Sequence, residues 1–157
     1  MQNRLAARIA RELKGAGTPE RAEREKAYLK SELKHLGVPV PRIRSTVRAA
    51  LREAGELERE ELLAAVRALW KNGIHELRVA TVELLHHRVA LLLPEDLALV
   101  EELIREGRTW ALVDELSARV AGALVEREPR LLRTLDRWAK DADFWVRRAA
   151  MLALLLP

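Results

Sequence analysis

Every apolar stretch of this chain that repeats at the helical spacing is bracketed by prolines, glycines or capping side chains, and no stretch alternates as a strand would. Thr18-Pro19 reads as an N-cap and first helical residue, and Gly37 as the glycine after a helix end. The segment "PERAEREKAYLKSELKHLG" is therefore expected to be one helix of about five turns. "VPVP" breaks it, Pro41 opens the next helix and Gly55 closes that one. Leu57, Leu62, Leu63, Val66, Leu69 and Trp70 mark a further helix up to "NG", followed by another from about Ile74 to Val89. Pro94 opens a helix ending near Gly107, residues 109–127 form the next, Pro129 starts another, and Asp141 or Asp143 caps "FWVRRAAMLALLLP".

The result is eight or so helices of roughly 10–18 residues joined by short turns. Short connections between helices of similar length predict antiparallel pairs stacked as an α-solenoid, with a compact bundle as the alternative. The 157 residues, 49% hydrophobic and 33% charged, suit a single helical-repeat domain over 1–157. The last segment is apolar around nearly its whole circumference and calls for a cover, either a further helical pair or a second subunit of a homo-oligomer.

Composition removes several chemistries. Without cysteine there is neither a disulfide framework nor a thiolate nucleophile, which agrees with a cytoplasmic setting. No segment resembles a secretion signal or a membrane span. His86 and His87 are adjacent while His35 and His75 stand alone, so no metal and no cofactor are expected. No glycine-rich phosphate loop occurs, and Ser31, Ser45 and Ser117 lack a nucleophile-elbow context. The basic excess sits at the front, where residues 1–52 carry 13 Lys/Arg against 5 acids. Such a segment suits nucleic acid or another anionic surface.

The most informative stretch is "TWALVDELSARV". On a helical wheel Leu112, Val113, Leu116, Val120, Ala123 and Leu124 form the core stripe, and Glu115, Arg119, Gly122 and Glu126 the wet one. Trp110, Asp114, Ser117, Ala118, Ala121 and Val125 form a third arc, too apolar for bulk water and too small for a core, as a groove wall would be. Asp114 lies one turn from Trp110 on that wall. It needs a cationic partner, and Arg147 and Arg148 on the apolar last helix are the candidates. Such a pair is either a structural salt bridge or an anion-binding, cation-stabilising site.

Four motifs in register, "AYLKSELKHLGVPVPRIR", "ALW", "TWALVDELSARV" and "DADFWVRRAAMLALL", resemble bacterial alkylpurine DNA glycosylases of the AlkD type. The resemblance implies a superhelix of HEAT-like antiparallel helical pairs whose concave face holds double-stranded DNA. It implies hydrolysis of the N-glycosidic bond of a cationic 3- or 7-alkylpurine. Trp110 and Asp114 correspond to the family's catalytic pair, and Arg148 to a residue beside the lesion's backbone. Tyr28 corresponds to a cleft aromatic, and Lys30, Arg44, Arg147 and Arg148 are expected to contact DNA. A non-catalytic repeat module binding DNA or a protein in the same groove is the alternative.

The chemistry suits one carboxylate. A positively charged purine is already a good leaving group, so no general acid is needed, unlike the two carboxylates of ordinary glycosidases. Asp114 would stabilise the oxocarbenium-like sugar, Trp110 would offer it a π face and Arg148 would hold phosphate. The chain departs from the pattern at Thr109 and Ala111 beside the tryptophan, and at Pro39 and Val40 after Gly37. Relatives also continue past the Arg-Ala-Ala helix, so a fragment, a shortened form or a cleft completed by dimerisation is expected.

Overall fold

The computed structural model describes residues 3–155 and is all-α: among them, no strand forms beyond one isolated bridge between Lys34 and Ile74. Two compact units divide at His87 and Arg88. The first contains α1 (Arg4–Lys14), α2 (Pro19–Leu29), α3 (Val40–Ala54), α4 (Arg59–Trp70) and α5 (His75–His87). Their starts follow the capping signals: the Asn3 side chain accepts from Ala6 N–H at 2.9 Å, and Thr18 Oγ1 accepts from Arg21 N–H at 3.3 Å.

Helix α5 is the centre of this unit, packed by α1, α3 and α4. Its buried side chains run around the helix and include Leu77, Ala80, Leu84 and Leu85, against Ile9, Ile43, Val47, Leu62, Val66 and Leu69. Arg78, caught among them, is paired. It stacks 4.4 Å above the Trp70 ring and donates from Nε to the Trp70 carbonyl.

The expected five-turn helix from Pro19 is shorter than its pattern. It stops at Leu29, where Lys30 turns left-handed (φ 52°) and Ser31 N–H bonds back to the Lys26 carbonyl. The cause lies 40 residues away. Glu76, fully buried at the start of α5, accepts from the N–H groups of Leu36, Gly37 and Val38 at 2.8, 2.8 and 3.2 Å. Lys34 pairs with Gly73 and His75. Three bonds to a buried carboxylate outweigh two more turns of a helix that buries no residue of its own. Gly37 is thus a loop residue and closes no helix. Its φ of 82° and the 2.1 Å between a built Cβ and the Thr18 carbonyl oxygen both require glycine.

The second unit opens with two short 3₁₀ turns, Val89–Leu91 and Pro94–Asp96, before α6 (Leu97–Gly107). One long helix follows as α7 (Trp110–Glu115), a π-helical stretch Leu116–Ala121 and α8 (Gly122–Arg127). A 3₁₀ turn at Pro129–Leu131, α9 (Leu132–Trp138) and α10 (Phe144–Leu152) complete it. Its core gathers Val100, Leu103, Ile104, Leu112, Leu116, Val120, Leu124, Trp138 and Val146. Trp138 Nε1 donates to Glu101 Oε1 at 2.7 Å, which satisfies the polar atom of the largest core side chain.

The apolar α10 is covered on one side only. Val146, Ala149 and Ala150 are buried, whereas Phe144, Met151, Leu154 and Leu155 are exposed. The end of the apolar run, Leu156 and Pro157, lies outside the described residues. No helix among the described residues is long and apolar enough to cross a membrane.

Candidate functional site

The loop before α7 sets the site. Arg108 reverses the chain in a left-handed conformation (φ 50°), and the Thr109 side chain caps α7 by accepting from Ala111 N–H. Trp110 is thereby placed on the first helical turn, 48% exposed for so large a ring. Asp114 follows one turn later and is partly exposed.

Helix α10 supplies the partner. Asp143 caps it through Trp145 N–H at 2.7 Å, and Asp141, held by Arg105, accepts from Asp143 N–H. Arg148, on the next turn, donates from Nε to Asp114 Oδ1 at 2.7 Å and from Nη2 to Oδ2 at 2.8 Å. The carboxylate raises the pKa of the Arg148 guanidinium further, and the flat fork fixes the carboxylate plane. Nη1 and the second Nη2 hydrogen point away from Asp114 and remain donors for a second anion.

Of the two arginines expected to meet Asp114, only Arg148 does. Arg147 folds back and donates to the carbonyls of Asp141 and Ala142, so it tightens the turn before α10. The groove wall read from the wheel is likewise shorter than expected. Trp110 and Asp114 face solvent, but Ser117 and Ala121 are fully buried and Val125 nearly so. The π stretch inserts an extra residue into the helical turn and packs on α6 and α10. Ser117 Oγ bonds to the Val113 carbonyl, and at Gly122 a built Cβ would come within 2.5 Å of the Ala153 carbonyl oxygen.

In the first unit, Tyr28 is exposed on the last turn of α2 and Lys30 follows at the left-handed end. Arg44 on α3 is bonded through Nε to Glu83, a buried acid of α5, at 3.0 Å, and His87 stands 3.4 Å from the other oxygen of Glu83. An arginine held by a buried carboxylate keeps its outer nitrogens for solvent or an anion.

His35 and His75 do not stand alone. Their rings stack at 4.4 Å, 13° from parallel. Glu25 Oε1 lies 2.9 Å from His35 Nδ1 and 3.9 Å from His75 Nε2, and one ligating atom of each residue falls within 4.8 Å of the others. The spacing of 10 and 40 residues carries no motif, so only the loop captured by Glu76 reveals the cluster. An imidazole lone pair lies in its ring plane, and two stacked rings cannot aim at one ion without leaving the stack. Burial lowers the His75 pKa to about 4 and raises that of the half-buried Glu25.

These features define a helical protein with a carboxylate held by a guanidinium beneath an exposed indole. The family profile described as DNA alkylation repair enzyme matches residues 9–157. The chain belongs to that family, and its part in DNA alkylation repair follows. The comparison with curated proteins returns no match.

Proposed function

We propose that the chain is a DNA glycosylase that hydrolyses the N-glycosidic bond of cationic 3- or 7-alkylpurines in duplex DNA. One observation carries the reading: a partly exposed carboxylate, Asp114, is clamped in orientation by Arg148 one turn below the half-exposed ring of Trp110. In the resembling glycosylases a tryptophan and an aspartate at this spacing form the catalytic pair.

The reaction asks little more of the protein. The C1′–N bond breaks with its electron pair going to the purine, which leaves neutral, while positive charge develops on the sugar. Asp114 opposes that charge at close range, and Trp110 offers its π face to it. Water then adds at C1′ and gives up a proton. Arg148 holds Asp114 with two donors and presents the others to the lesion's phosphate, so orientation and anchoring come from one side chain. Tyr28, Lys30 and Arg44 of the first unit, with Arg147, are assigned contacts to the duplex.

The test is single-turnover release of free base from duplex DNA carrying 7-methylguanine. Release by the parent chain that vanishes in Asp114→Asn supports the glycosylase. Salt-dependent DNA binding without any release would reduce the chain to a DNA-binding module.

A further inference from the structure

Two helices of the second unit run side by side in the same direction. Asp114 meets Arg148, and further along both helices Gly122 closes on Ala153. Residues one turn before the ion pair therefore share one end of the site. On α7 that residue is Trp110, and on α10 it is Phe144, which precedes Arg148 by four positions and lies on the same face.

Phe144 is unusual for a helix start. It is 54% exposed, and its ring makes a T-shaped contact with Trp145 at a centroid distance of 5.1 Å. Trp145 thus packs against the ring, and more than half of Phe144 stays open to solvent. An exposed aromatic beside a charged pair is a surface on which a sugar or base can rest. Met151 shares the α10 face but lies one turn beyond Arg148, away from Trp110.

We infer that Phe144 is a second substrate-contacting aromatic, stacking on the nucleotide whose sugar Asp114 faces and working opposite Trp110. The inference rests on the glycosylase reading. Asp114 and Trp110 act on the charge at C1′, whereas Phe144 supplies orientation, which makes it a determinant of affinity for the lesion.

The variants are Phe144→Ala, Phe144→Leu and Phe144→Trp, with Met151→Ala as the control on the same face. Each is assayed for thermal stability, affinity for 7-methylguanine duplex and single-turnover release. Removing the ring should weaken lesion binding about tenfold in both Ala and Leu variants. Trp should restore binding, melting should barely shift, and Met151→Ala should match the parent. Parent-like binding by Phe144→Ala overturns the inference, as does an equal loss in Met151→Ala or full rescue by Leu. A parent chain that releases no base removes the glycosylase reading and Phe144 with it. Release by the parent with an indifferent Phe144→Ala removes only the role of Phe144.

Discussion

Arg148 and Asp114, 34 positions apart in sequence, form a two-pronged ion pair at 2.7 and 2.8 Å, and each side chain keeps about a third of its surface in contact with solvent. A pair serving stability alone gains little at such exposure, because solvent screens it. The pair instead holds one carboxylate in a defined plane at an accessible place.

Asp114→Asn keeps the shape and removes the charge. Base release should fall by about 100-fold or more, the loss seen when one electrostatic group of a transition-state site is deleted. DNA affinity should hold or rise, since a negative charge near the duplex is gone. Single-turnover kinetics alongside binding isotherms check both, and equal release by mutant and parent removes Asp114 from the mechanism.

Arg148→Lys tests the fork. Lysine keeps the charge but cannot bond both carboxylate oxygens in one plane. Release should drop several-fold with a smaller change in affinity, while Arg148→Ala should lose affinity as well. Unchanged affinity of Arg148→Ala at low salt would confine Arg148 to orienting Asp114.

Glu76→Ala should destabilise the first unit by about 3–5 kcal/mol, because three backbone donors are left buried without an acceptor. Urea unfolding measures it. A change below about 1 kcal/mol would mean that the loop finds other partners.

Acid should weaken the fold in a particular window. The His75 pKa is lowered from 6.5 to about 4, by burial first and by His35 second, so the unfolded chain takes up this proton earlier. Stability from His75 is complete above pH 6.5 and is lost as pH falls towards 4, by about 3 kcal/mol in all. Glu76, whose pKa the three N–H bonds lower, adds a loss of the same sign below pH 4.5. Glu25, raised by burial, opposes both near that pH, and Arg78 repels the added charge. His75→Gln should flatten the slope of unfolding free energy between pH 6.5 and 4; an unaltered slope refutes the assignment.

Gly122→Ala raises helix propensity and should nonetheless destabilise. The new methyl would stand 2.5 Å from the Ala153 carbonyl oxygen, so α8 and α10 must part. A loss of about 1–3 kcal/mol in chemical denaturation is expected; a gain would show that the helices separate at no cost.

Much of this molecule is written locally. Thr18-Pro19, Pro94, Gly55 and Asp143 start or stop helices because caps act on neighbouring backbone groups. The i and i+4 spacing of Trp110 and Asp114 put both on one face, and the same rule made Phe144 and Arg148 neighbours, although the sequence reading missed Phe144. What tertiary structure decided depends on groups far apart in the chain. Glu76 kept Leu36 and Gly37 out of the helix expected from Pro19 and brought His35 onto His75, because a buried carboxylate must find donors wherever they lie. Packing against α6 and α10 put the π stretch into the helix that carries Trp110 and Asp114 and buried Ser117 and Ala121. The choice between Arg147 and Arg148 was settled by rotation: one turns back to the carbonyls of its own loop, and the other reaches Asp114.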